Sequence, residues 1–323
     1  MRKLSLYKQL LAFFIAGIVI FTALGGWISV QAETKSPISP NTEQLNLVGD
    51  GKPFKPTDLE QSEKPYDYDS DRGNPRGIDN RIPMRSRYYP WSTIGRVEGI
   101  TADGEGYYCT GTLVASDIVL TNAHCVIDSE THQLSKELRF IPNVINGKSQ
   151  SPGDMGKVQN IAKNVLYGTD FKDGGFDNVK NQSNDWALMI INQPLGRKYG
   201  HLGWKSIPAS TLIKQKRGKL FFVGYSSDYP DPSKEGYESL TAGKGWTASY
   251  EDGCSIVGEE SNHFYHDCAT ARGSSGGPII DWIDGLPYIV ALNNGEAKNL
   301  ITGQDIINFA VKMDFLDQLV SRK

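Results

Sequence analysis

The feature that most restricts the fold of this chain is the length and spacing of its apolar runs. Ile94-Gly95-Arg96-Val97, Gly111-Thr112-Leu113-Val114, Ile118–Thr121, Leu138–Pro142, Trp186–Ile191, Leu220–Val223, Ile279–Trp282 and Tyr288–Leu292 are each four to six residues long. Turn-forming residues separate them. Runs this short, rich in β-branched and aromatic residues, suit strands better than helices, which need longer periodic stretches. The 34 glycines and 16 prolines supply the turns such a chain needs. Six to nine short strands without alternating helices imply an all-β sandwich or barrel. The end of the chain differs. Val311, Phe315, Leu316, Leu319 and Val320 recur at helical spacing, which predicts a closing amphipathic helix whose apolar stripe packs on the domain.

The first residues carry Arg2, Lys3 and Lys8, then an apolar stretch from Leu10 to Leu24, then small residues ending in Val30-Gln31-Ala32. This is the pattern of a secretory signal peptide over residues 1–32, cut after Ala32. An uncleaved membrane anchor is the alternative, because the stretch approaches the roughly 20 residues that span a bilayer. Both place the remainder outside the cytoplasm, secreted or periplasmic. Residues 33–80 are rich in Pro, Asn, Asp, Lys and Glu and read as a propeptide or an extended arm lying on the domain that follows. Within them Asp67-Tyr68-Asp69-Ser70-Asp71-Arg72-Gly73 resembles the start of a calcium loop, but the glycine is one place late and Ile78 stands where the closing glutamate belongs. It reads as a solvated acidic patch. Residues 81–323 are the folded domain.

A formal charge of −3 with no dense Lys/Arg stripe gives no support for nucleic-acid binding. The four cysteines, Cys109, Cys125, Cys254 and Cys268, lie in the exported part, where two disulfides persist. Of three connectivities, the sequence-local pairs Cys109–Cys125 and Cys254–Cys268 are preferred. A zinc site is the alternative, without Cys-x-x-Cys spacing and with few histidines to support it.

Three stretches carry chemistry. In Ala271-Arg272-Gly273-Ser274-Ser275-Gly276-Gly277-Pro278 the glycines let the backbone turn sharply and expose the Ser275 hydroxyl. The N–H groups of Gly273 and Ser275 can then converge where an oxyanion would form. Thr121-Asn122-Ala123-His124-Cys125 places a histidine at a strand end beside a half-cystine, held as a general base must be. Asn184-Asp185-Trp186 places a carboxylate at the edge of an apolar run, where a partner for an imidazole N–H belongs. Each also has a structural reading: a small-residue turn, a turn histidine and a strand-entry aspartate.

Together, and in the order His124, Asp185, Ser275, they resemble the chymotrypsin-type (trypsin-like) serine protease family; other triad hydrolases use other orders. The resemblance runs from about residue 82 to the end and implies two six-stranded antiparallel β-barrels with the active site between them. It also implies that Ser275 is the nucleophile, that His124 is the base, that Asp185 orients His124, and that Gly273 and Ser275 form the oxyanion hole. The implied activity is a serine endopeptidase acting on protein or peptide substrates as a monomer, without metal or organic cofactor. A catalytically inactive binding or adhesion module on the same scaffold is the alternative. A membrane enters only if the N-terminal segment stays uncleaved.

The chain departs from the family's Gly-Asp-Ser-Gly-Gly-Pro at Ser274, which carries no charge and so cannot accept a freed N-terminal amine as the aspartate does. This resembles the bacterial secreted branch that includes the glutamyl endopeptidases, as do Arg81-Ile82-Pro83, Tyr89-Pro90-Trp91 and Val223-Gly224-Tyr225. By that resemblance the pocket for the residue before the scissile bond is floored by Ala269, with Thr270 at its side. Asn293 stands where those enzymes place a histidine. An alanine floor argues against Lys or Arg preference, and an uncharged Asn293 leaves glutamate and small or neutral residues as alternatives.

Overall fold

The computed structural model describes residues 51–63, 80–176, 178–260, 263–298 and 305–321. The stretches read as signal peptide (1–32) and acidic patch (67–73) lie outside the described residues. The first half of the chain contributes β1 (Ile82–Pro83), β2 (Ile94–Ile100), β3 (Gly106–Leu113), β4 (Ile118–Thr121), β5 (Glu137–Pro142), β6 (Gly156–Lys157), β7 (Val165–Tyr167) and β8 (Ala187–Ile190). The second contributes β9 (Gly203–Trp204), β10 (Leu220–Gly224), β11 (Ser249–Cys254), β12 (Ile256–Glu260), β13 (His263–His266), β14 (Pro278–Ile283), β15 (Leu286–Lys298) and β16 (Asp305–Lys312).

These strands form two curled, essentially antiparallel sheets. The first runs β6-β5-β2-β3-β4-β8-β7, and the second runs β1-β11-β10-β14-β15-β16-β13-β12, with β9 parallel to β15. The sheets hold seven and nine strands rather than six each, and the excess has a simple origin. β1, β6 and β9 are two-residue pieces added at the margins. β11 and β12 are separated only by Ser255. With the two-residue β1 set aside, they stand at opposite ends of the second sheet's path, so one bent chain segment supplies both ends and closes the sheet on itself. The expected two-barrel architecture of chymotrypsin-like enzymes is the one present.

The apolar runs of the sequence do not alternate with polar residues, and the packing explains why. Successive side chains of a strand point to opposite faces, and here both faces are buried. Val119 and Met189 point into the first barrel, whereas their neighbours Leu120 and Leu188 join a cluster reaching Val223, Tyr225, Ile280 and Leu292 of the second sheet. Phe222 and Ile279 fill the second barrel, while Val223 and Ile280 face the shared cluster.

The closing helix is present as Asp314–Ser321, but Val311 belongs to β16, where it pairs with Leu292 and His263. Strand alternation, not helical periodicity, buries that residue. Phe315 of the helix stacks on Trp186 with ring centroids 4.4 Å apart, so the helix braces the chain next to Asp185. Residues 51–63 lie on the domain surface: Phe54 pairs with His201, Gln61 with Tyr89, and Trp91 Nε1 donates to Ser62 O at 2.9 Å. Among the described residues no helix is long and apolar enough to cross a membrane.

Candidate active site

The antiparallel pairing of β4 with β8 matches Thr121 with Ala187. The chain leaving β4 and the chain entering β8 therefore meet at one end of the first barrel. Three residues beyond Thr121, in a short 3-10 turn over Ala123–Cys125, stands His124. Two residues before Ala187 stands Asp185, fully buried. Asp185 accepts from the His124 backbone N–H at 3.0 Å, and its second oxygen lies 2.7 Å from His124 Nδ1. An ionised carboxylate only accepts, so Nδ1 carries the proton and Nε2 presents its lone pair on the other side of the ring. Asn122 Nδ2 donates to Asp185 O at 2.6 Å and fixes the backbone that bears the carboxylate. Phe176 meets the His124 ring edge-on, with centroids 5.4 Å apart.

The turn carrying Ser275 is tied to the first barrel by Thr110 of β3. The Thr110 N–H donates to Ser275 O at 2.8 Å, its hydroxyl donates to Gly273 O at 2.9 Å, and Tyr225 N–H donates to that hydroxyl at 2.9 Å. β3 also carries Cys109, which is joined to Cys125 beside His124; Cys254 is joined to Cys268. Both disulfides are the sequence-local pairs. The bond between Cys109 and Cys125 leaves no thiolate in the Cys109–His124–Cys125 cluster to ligate a metal.

Gly273 has φ +88°, and a Cβ there would lie 2.3 Å from Tyr108 Cε2 and 2.5 Å from Tyr225 O. Only glycine fits. Tyr108 is itself held by the Arg96 guanidinium, 3.9 Å above its ring and 4.1 Å from the Trp246 ring. The Arg272 carbonyl accepts from Ser227 N–H at 2.7 Å, and the Ser274 carbonyl accepts from Gly277 N–H at 2.9 Å. A trans peptide points its C=O and N–H in opposite directions. The N–H groups of Gly273 and Ser275 are thereby turned away from those partners, and neither donates to a backbone carbonyl among the described residues.

His124 and Ser275 line one cleft of about 370 Å³, together with Phe176, Thr270, Arg272 and Asn293. No direct hydrogen bond joins Ser275 to His124 among the described residues; such contacts commonly tighten only when substrate binds. At the rim, Asp128 accepts from the N–H groups of Thr131 and Glu130, which hold its carboxyl below the usual range. Arg272 is exposed.

The specificity residues inferred from the sequence fare differently. Thr270 lines the cleft, but Ala269 does not, and its N–H donates to Glu251 Oε2 at 2.5 Å. A buried carboxylate thus lies beside the position read as an uncharged floor. Asn293 borders the cleft at 2% exposure, but its amide is engaged by Ser274 and His266. Ser274, also buried, donates its hydroxyl to Ala271 O at 2.6 Å and closes the turn without a charge. Sequence reasoning missed Asn122, Tyr108, Phe176 and Glu251. Of these only Asn122 left a local signal, two places before His124.

A family model described as a trypsin-like peptidase domain matches residues 109–287, more than half of the chain. Serine protease 23 of Rattus norvegicus is 26% identical over 181 residues, covering 53% of this chain and 42% of that protein; the human protein is 27% identical over the same shares. The chain therefore spans less than half the length of these relatives. Among solved structures, a Glu endopeptidase superposes with a TM-score of 0.56 at 20% identity, covering 76% of this chain and 97% of the other. A thermostable serine protease, AL20, from an extremophile gives 0.50 at 17% identity, covering 71% and 95%. At those identities the likeness is one of fold. With the family model spanning the stretches around His124, Asp185 and Ser275, the chain belongs to the trypsin-like peptidase domain family.

Proposed function

We propose that this protein is an exported serine endopeptidase that cleaves peptide bonds through an acyl-enzyme. Ser275 Oγ attacks the scissile carbonyl carbon while His124 Nε2 takes its proton. The carbonyl oxygen becomes an oxyanion that accepts from the N–H groups of Gly273 and Ser275. Collapse of this intermediate breaks the C–N bond, and His124 returns the proton to the leaving amine. Water then repeats the sequence on the acyl-enzyme and releases the new carboxylate. Asp185 keeps the proton on Nδ1 and stabilises the imidazolium formed in each half-reaction.

The observation that carries this reading is the His124 Nδ1–Asp185 contact of 2.7 Å with the carboxylate fully buried, beside a cleft that Ser275 shares. Export is supported by the two disulfides, which persist in oxidising compartments. The test is Ser275→Ala, which should abolish casein cleavage while leaving the fold intact by circular dichroism. Cleavage at the wild-type rate by this variant sinks the assignment, and an inert wild-type protein favours the inactive binding module.

A further inference from the structure

The engagement of Asn293 bears on more than substrate choice. Its backbone is bonded into the nucleophile turn in both directions: Gly276 N–H donates to Asn293 O at 2.9 Å, and Asn293 N–H donates to Gly277 O at 3.0 Å. Its Nδ2 donates to Ser274 O at 3.0 Å, and its Oδ1 lies 3.1 Å from His266 Nε2. His266 is fully buried, and Nε2 also lies 3.2 Å from Phe309 O. Both neighbours of Nε2 are acceptors, so Nε2 carries the hydrogen and the tautomer is fixed. The other nitrogen, Nδ1, is buried without a hydrogen-bond partner among the described residues. A second proton would have to go there, and burial pushes the imidazole pKa down to about 4. His266 is thus a neutral donor at ordinary pH, and it fixes which way the Asn293 amide faces.

The Ser274 carbonyl belongs to the same rigid peptide as the Ser275 N–H. Fixing one aims the other. We propose that Asn293, oriented by His266, is a positioning residue that aims the Ser275 N–H at the oxyanion, and not a ligand of the substrate side chain. This rests on Ser275 being the nucleophile.

The experiment measures Asn293→Ala and His266→Phe against wild type. Rates are taken per active site titrated with a fluorophosphonate, so that an unfolded fraction does not count. Gly277 N–H still holds the Ser274 carbonyl in both variants, so the loss should stay below the 100- to 1000-fold typical of deleting a whole donor. For Asn293→Ala, kcat and kcat/KM should fall together by about 10- to 100-fold with KM within about threefold, the mark of an interaction made in the transition state. Affinity for a peptide boronic acid, which becomes tetrahedral on Ser275, should fall by the same factor, while affinity for the matching peptide amide should hold. The ranking of residues accepted before the scissile bond should not change. His266→Phe should show the same pattern with a smaller loss.

Unchanged kcat per titrated site in Asn293→Ala overturns the proposal, as does a changed residue preference with raised KM, which would make Asn293 a pocket ligand. If Asn293→Ala yields no folded protein, His266→Phe decides alone: wild-type kcat and boronate affinity overturn the proposal. Wild-type protein that reacts with no fluorophosphonate instead defeats the reading of Ser275 itself.

Discussion

Replacing His266 with glutamine separates the hydrogen bonds of this residue from its titration. A glutamine amide N–H can take the place of Nε2–H toward Asn293 and Phe309, and it has no pKa in the accessible range. The wild-type imidazole has a folded-state pKa lowered by burial to about 4, against the 6.5 of an ordinary histidine. Between these values the unfolded chain binds a proton that the folded chain does not. Stability is therefore complete above pH 6.5 and falls as the pH drops toward 4. From pH 7.5 to pH 5.0 the loss assignable to this one group is about 2 kcal/mol, approaching about 3 kcal/mol well below pH 4. For a domain of this size 2 kcal/mol is a shift of roughly 4–8 °C in Tm. The half-buried His201 and the buried His263 have pKa values lowered in the same direction by desolvation, but both proteins contain them. The comparison of wild type with His266→Gln cancels their contribution. Urea unfolding followed by tryptophan fluorescence at both pH values should show wild type losing about 2 kcal/mol more than the variant. Equal losses in the two proteins would refute the burial argument for His266.

Three further outcomes follow from the same geometry. Gly273→Ala places a methyl 2.3 Å from Tyr108 Cε2 at φ +88°, so the Gly273 peptide must shift; kcat on a chromogenic peptide should drop by about 100- to 1000-fold. Asp185→Asn keeps the shape but can hold His124 in the wrong tautomer, and steady-state kinetics should show kcat falling on the order of 10,000-fold. Replacing Cys109 and Cys125 together by serine opens a 16-residue loop and should cost about 3 kcal/mol in urea unfolding at pH 7.5.

The legible parts of this protein were those where chemistry is local in the sequence. His124 beside a half-cystine, Asp185 before an apolar run and Ser275 among glycines announce themselves in stretches of a few residues. Their order alone restricts the family. The strands were legible as runs, because burial on both faces leaves little polar alternation to confuse them. Val311 was misplaced because one apolar residue fits either the last strand or the next helix, and only pairing with Leu292 and His263 decides. The surroundings of the cleft were least legible. Asn293 meets Ser274 across 19 residues and His266 across 27, and Glu251 reaches Ala269 across 18. Such contacts depend on sheet register, which no local pattern specifies.

The central claim, that Ser275 is a nucleophile activated by His124, is tested most directly by fluorophosphonate labelling with peptide mapping by mass spectrometry. The account predicts one adduct per chain on Ser275, none on Ser274, and loss of labelling in both Ser275→Ala and His124→Ala. An unlabelled wild-type protein, or an adduct that persists in Ser275→Ala, would contradict it.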